Sequence, residues 1–163
     1  MKTLQKVDSW FGIMSNNLIH DVEIVQLKEI FDDKGSVFHM LRNDERQFKS
    51  FGECYFSEVN VDCIKGWKKH TLQTQNISVP IGKIKFVLFD PRKDSPTYKN
   101  ILNIQLGRPD EYSRISIPPN IWYSFKCISE SKALIANCTD IPHDPNESEI
   151  LALESKEIPF SWG

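Results

Sequence analysis

The imidazoles of His20, His39, His70 and His143 are the side chains whose ordinary titration lies nearest neutral pH. None lies two residues from another, so the His-x-His pair that anchors many His-and-carboxylate metal sites is missing. His70 ends the run Lys65-Gly66-Trp67-Lys68-Lys69-His70. In a strand, alternate residues share a face, so Lys68 joins His70 and Lys69 points away. An imidazole beside an ammonium can take a proton near pH 7 and hold an anionic oxygen. The plainer reading is a solvated surface strip. Tyr123 sits in Trp122-Tyr123-Ser124-Phe125, as a proton donor in an aromatic pocket wall or as a core tyrosine with a bonded hydroxyl. His143 lies between Pro142 and Pro145, in a stiffened loop at a pocket mouth or simply on the surface. No Gly-x-Gly-x-x-Gly, phosphate-loop or Gly-x-Ser-x-Gly pattern occurs, which removes Rossmann, nucleotide-triphosphatase and hydrolase-elbow readings.

Positioning such side chains requires a scaffold, and composition indicates which kind. The chain has 163 residues, 40% apolar and 26% charged, enough for one ordinary domain with a real core. Twenty Lys and Arg stand against 22 Asp and Glu, a formal charge of -2 that makes no case for nucleic acid or an anionic membrane as partner. No apolar run approaches the roughly 18 residues of a membrane span. Residues 1–17 are mixed and polar, with no long apolar stretch of an export signal, and read as an arm before a single domain over 18–163. Beyond them the pattern is of short strands: Val22–Leu27, Ser36–Leu41, Glu53–Val59, Ile77–Val79 and Lys83–Asp90, the last alternating as a half-buried strand should. Pro80-Ile81-Gly82 reads as a turn, and Asp90–Pro96 as a loop. Further strands fall at Ile101–Leu106, Ser113–Ile117, Tyr123–Ile128 and Lys132–Cys138. This spacing predicts an all-β antiparallel sandwich such as a jelly roll. Cys54, Cys127 and Cys138 lie in apolar segments and Cys63 forms no CxxC, so reduced core thiols and a cytoplasmic location are expected.

The order of these segments resembles the dTDP-4-dehydrorhamnose 3,5-epimerases over roughly residues 20–145. Asp32-Asp33-Lys34-Gly35 stands at the family's acidic-Arg-Gly turn, and Glu53-Cys54-Tyr55-Phe56-Ser57 at its Gln-x-Asn-x-Ser strand. Lys65–His70 is similar to its Arg-Gly-Leu-His segment, and Ile117–Phe125 to its Ile-Pro-x-Gly-x-x-His-Gly-Phe segment. Its Asp-x-Arg-x-x-Ser-Pro-Thr loop is present in full as Asp90–Thr97, and a Thr-Asp pair follows as Thr139-Asp140. There are departures. Lys68 aligns with the family's basic His, the family's Lys falls within Thr74–Ile77, and Ile141 replaces its Tyr.

The resemblance implies a cupin-type jelly roll and a homodimer that exchanges amino-terminal strands. It also implies epimerisation or isomerisation of a 4-keto-6-deoxy nucleotide sugar in surface-polysaccharide synthesis, with neither metal nor cofactor. His70 is then the expected base, Lys68 the oxyanion or phosphate partner and Tyr123 the acid. Lys34 and Lys65 are expected phosphate contacts, as charges without the arginine fork. Glu53 and Tyr55 take the positions of nucleotide contacts, and Trp122 and His143 are expected at the pocket wall and mouth. Asp90 and Arg92 are expected to fix their loop. The alternatives are a non-catalytic sugar- or nucleotide-binding cupin, a metal-dependent cupin and a 3,4-ketoisomerase.

Overall fold

A computed structural model describes residues 18–163, and the arm expected over 1–17 lies outside the described residues. In chain order the strands are β1 (Glu23–Gln26), β2 (Glu29–Asp32), β3 (Gly35–Phe38), β4 (Glu53–Val59), β5 (Ile64–His70) and β6 (Gln75–Ile81). They continue as β7 (Lys83–Phe89), β8 (Ile101–Gly107), β9 (Ser113–Ile117), β10 (Trp122–Cys127), β11 (Ala133–Thr139) and β12 (Ser148–Ile150). One antiparallel sheet runs β1-β9-β6-β11-β4, a second runs β12-β5-β10-β7-β8, and β2-β3 is a separate hairpin. This is the jelly-roll layering that the period-2 pattern requires. Among the described residues no helix is long and apolar enough to cross a membrane.

The main core lies between the sheets. Val59, Ile77 and Val79 face Ile84, Phe86 and Leu88, all buried, which supplies the hydrophobic stabilisation of the sandwich. A second cluster covers the outer face of the β5-β10-β7 sheet, where Trp67, Val87, Phe89 and Trp122 pack under Ile158. The cover is the carboxy-terminal segment. Trp67 and Leu151 exchange backbone hydrogen bonds, and Phe160 meets Trp67 edge-on. β7 is therefore buried on both faces, not half-buried.

Two further expectations need correction. The turn expected at Pro80–Gly82 contracts to Gly82, whose φ of 76° closes the hairpin to β7. Pro80 stays within β6, because one extra β6 residue bulges against β11 between the Ile81↔Leu134 and Ser78↔Ala136 pairs. A bulge tolerates the missing N–H. Of the three cysteines expected in the core only Cys127 is buried. Cys54 and Cys138 are cross-strand partners with Sγ atoms 3.1 Å apart, and Cys54 is exposed.

The Asp90–Thr97 loop is a hydrogen-bonded knot. Buried Asp90 accepts from the Arg92 backbone N–H and guanidinium, from Ser95 Oγ and from Thr97 Oγ1, at 2.6–3.0 Å. Arg92 also donates to the His20 carbonyl at 2.6 Å, tying the start of the fold to the loop. Burial pushes the Asp90 carboxyl up, but these donors outweigh it and bring it down to about 2. Asp90→Asn, which removes the buried charge these donors surround and leaves Arg92 only Asp21, at 3.2 Å, as a carboxylate partner, is expected to cost about 2–4 kcal/mol in denaturant unfolding. Because the folded pKa is depressed, the contribution is present above the ordinary value of 3.8 and lost as pH falls through about 2. Unchanged stability at neutral pH would make the knot incidental.

Candidate active site

A cavity of about 230 Å³, open to solvent at its mouth, lies between the sheets. Tyr55 and Ser57 of β4, Ile77 of β6 and Asn137 of β11 form one wall. Lys65, Gly66 and Lys68 of β5 face them, with Tyr123 and Phe125 of β10. Lys65 and Lys68 are three apart and would point to opposite faces of a regular strand. A β-bulge resolves this: Tyr123 pairs with Lys68 and Phe125 with Lys65, so β5 carries one extra residue at Gly66-Trp67. Gly66 suits the bend, with φ of 129° and Ser124 so near that a Cβ would lie 2.7 Å from it. Lys65 is held by Ser57 Oγ at 2.9 Å and the Glu58 carbonyl at 2.8 Å.

His70 is buried one hydrogen bond behind this lining. Its Nε2 lies 3.2 Å from Tyr123 Oη, and its Nδ1 bonds Glu147 Oε1. Glu147, also buried, accepts at Oε2 from the N–H groups of Thr71, Leu72 and Gln73, each at 3.2 Å. It ends a 3₁₀ turn, Pro145–Glu147, capped by Asp144, and leads into β12, which pairs with β5 opposite His70. Burial pushes His70 below its ordinary 6.5, against the Glu147 hydrogen bond and with help from Lys68. Burial alone would raise Glu147, yet the His70 and backbone hydrogen bonds bring it below its usual range. Burial raises the Tyr123 phenol. Together these describe an ionised Glu147, a neutral imidazole donating Nδ1–H to it, and an Nε2 lone pair accepting from a neutral phenol.

The structure brings His70, Lys68, Tyr123, Lys65 and Tyr55 to one place. His70 is 3% exposed, which overturns the surface reading of that residue. Lys69 turns outward, to Glu149 at 3.0 Å and the Trp122 ring. Trp122 is a correction: strand alternation carries it to the outer cluster with Trp67 and Ile158, away from the cavity. Glu53 shares the Tyr55 face but sits at the strand's start opposite Thr139, outside the lining. Lys34, exposed at the β2-β3 turn, does not line the cavity either. His143 is exposed, near enough to oppose a charge on His70. Glu147 had no signal of its role in sequence. Asp144-Pro145 marks the start of a helical turn, but nothing local ties Glu147 to a His 77 residues away. Among the described residues no cluster of three or more His, Cys, Asp or Glu side chains is placed to hold a metal ion.

Comparison with known proteins identifies the family and the fold. The family model described as dTDP-4-dehydrorhamnose 3,5-epimerase matches residues 16–163. A dTDP sugar isomerase from Desulfovibrio desulfuricans is 46% identical, with a TM-score of 0.86 over 88% of this chain and 92% of that one. A probable low-salt glycan biosynthesis epimerase from Haloferax volcanii is 28% identical over 137 residues, 81% of this chain and 87% of that protein. A dTDP-4-dehydrorhamnose 3,5-epimerase from Bacillus anthracis, solved with TDP and PPi, shares the fold at 21% identity and a TM-score of 0.77, over 87% of this chain and 85% of that one.

Proposed function

The chain belongs to the dTDP-4-dehydrorhamnose 3,5-epimerase family, and from that premise we propose that its cavity epimerises a dTDP-linked 4-keto-6-deoxy sugar for polysaccharide synthesis. The observation that carries the reading is the buried Glu147-His70-Tyr123 chain ending at a cavity edged by Lys65 and Lys68. A carbon beside a ketone loses its proton to a base, and the electrons move onto the carbonyl oxygen as an enolate. Return of a proton to the other face inverts the centre. In this reading His70 Nε2 accepts the proton, Lys68 steadies the enolate oxygen, and Tyr123 supplies the returning proton. The substrate must replace the 3.2 Å bond between His70 and Tyr123 to reach the base. A raised phenol pKa keeps Tyr123 protonated and able to donate.

The diphosphate lies along Lys65. Lys34 acts from the partner chain of a homodimer, since its hairpin projects the exposed side chains of Ile30 and Val37, cross-strand partners on one face, an apolar pair suited to an interface. The enzyme works in the cytoplasm, where nucleotide sugars and reduced thiols belong. The test is deuterium uptake from solvent at the carbons flanking the ketone of dTDP-4-keto-6-deoxyglucose. Uptake at C3 or C5 supports epimerisation. Tight binding with no uptake would make the protein a nucleotide-sugar binder.

Lys65→Ala is expected to weaken binding of that sugar by about fivefold, the scale of one partly exposed ion pair. The loss should grow at low salt, where Coulomb attraction is less screened. Equal affinities would leave Lys65 as a rim residue held only by Ser57 and Glu58.

A further inference from the structure

Behind the cavity wall runs a file of buried amides whose direction is set at one end. Gln73 Nε2 donates to the Ile141 carbonyl at 2.7 Å and to Thr139 Oγ1 at 3.2 Å. A backbone carbonyl only accepts, so the orientation of the Gln73 amide is not free. Gln73 Oε1 must then accept, and Gln75 Nε2 donates to it at 2.6 Å. That turns Gln75 Oε1 toward Asn137, whose Nδ2 donates to it at 2.6 Å and to Tyr55 Oη at 2.8 Å. The sequence of constraints leaves Asn137 Oδ1 over. Asn137 is 2% exposed and lines the cavity, yet Oδ1 has no hydrogen-bond partner among the described residues. A buried acceptor without a donor costs free energy, and flipping the amide would face two acceptors across the Gln75 contact. The file therefore holds an unpaired acceptor at the cavity wall.

Tyr55 completes the arrangement. Its oxygen accepts from Asn137, so its own O–H hydrogen is free to point elsewhere. Asn137 Oδ1 and the Tyr55 hydroxyl stand on adjacent strands, paired across β4 and β11, as one acceptor beside one donor. A sugar hydroxyl both donates and accepts, and it satisfies the pair at once. The phosphates of a nucleotide sugar offer no donor at neutral pH. Tyr55, Asn137 and Tyr123 line the same cavity, which sets the pair across from the phenol that meets His70.

We propose that Asn137, oriented by Gln73 and Gln75, is a specificity-determining residue that accepts a hydrogen bond from a ring hydroxyl of the bound keto sugar. This rests on the nucleotide-sugar reading above and narrows it to sugars that keep that hydroxyl. The experiment compares dTDP-4-keto-6-deoxyglucose with its 2-deoxy and 3-deoxy counterparts, reading deuterium uptake at C5, which all three can undergo. In the wild type, one deoxy sugar should lose roughly 10- to 100-fold in kcat/KM, because it leaves Oδ1 buried and unpaired. In Asn137→Leu, of similar shape but with no acceptor, that ratio should shrink to within about threefold. Should Asn137→Leu not fold, Asn137→Ala, which leaves room for water, takes its place. The proposal is overturned if neither deoxy sugar suffers in the wild type, or if the preference persists undiminished in the variants that lack the acceptor. If the wild type exchanges none of the three, including the parent sugar, the epimerase reading itself fails and the proposal with it.

Discussion

Replacing His70 by Asn is expected to lower deuterium exchange beside the ketone by about 100-fold or more, the usual scale of a positioned general base. Substrate affinity should change little, because His70 lies behind the lining and Lys65, Lys68 and Tyr55 still line the cavity. Asn retains a polar group toward Glu147 and Tyr123 but has nothing that takes a proton near neutral pH. The wild-type rate should rise with pH on its acid side, since only neutral imidazole accepts the proton. Burial holds His70 below its ordinary 6.5, so the midpoint of that rise should fall below 6.5. Tyr123→Phe adds a second reading: it should suppress inversion more than exchange, because removal of the proton precedes its delivery to the other face. Exchange that persists in His70→Asn would place the base elsewhere, with His143 the next residue to replace.

Glu147→Gln is expected to cut exchange by about 10²- to 10⁴-fold, although Glu147 need never touch substrate. In the wild type the carboxylate accepts from His70 Nδ1 and from three backbone N–H groups. A Gln that keeps its oxygen on those N–H groups turns its NH₂ toward Nδ1. That reverses the imidazole tautomer, moving the proton to Nε2 and removing the lone pair that the reaction needs. Glu147 is thus a positioning residue. The nitrogen NMR shifts of His70 report the tautomer directly: the wild type should show Nδ1 protonated and Glu147→Gln should show Nε2 protonated. A variant that folds normally with the wild-type tautomer and rate would reduce Glu147 to a structural link between β5 and β12. The carboxyl is below its usual range in the fold, so its stabilisation is present above the ordinary value of 4.5. It is lost as pH falls through the folded value.

What could be read in the sequence was whatever local periodicity and turn chemistry govern. β4 and β9 fall at Glu53–Val59 and Ser113–Ile117 as expected, because their residue types and flanking turns leave little freedom. The Asp90–Thr97 loop is legible for the same reason, since the hydrogen bonds to the Asp90 carboxylate join residues at most seven apart. Lys68 on the cavity and Lys69 outside follow from strand parity alone. Apolar and aromatic neighbours in sequence misled where the far side of a strand or a distant segment decides the surroundings. Trp122, though adjacent to Tyr123, belongs under the carboxy-terminal cover. Cys54 stands on the exposed side of β4 despite its apolar neighbours.

Residue type and spacing along the chain set the strand material, the turn chemistry and the local order of motifs, and through that order a resemblance to the family to which the chain belongs. Each depends on residues close together along the chain, where spacing and residue type carry the physics. The working arrangement of the cavity was decided by tertiary structure. The bulge at Gly66-Trp67, which brings Lys65 and Lys68 to one cavity, exists because β5 is registered against β10. Glu147 meets His70 because β12 pairs with β5. Asn137 Oδ1 is left without a partner among the described residues because a carbonyl at Ile141 orients a file running across β6 and β11. Hydrogen-bond direction and register are properties of pairs brought together by folding, and neither is written in the spacing along one strand.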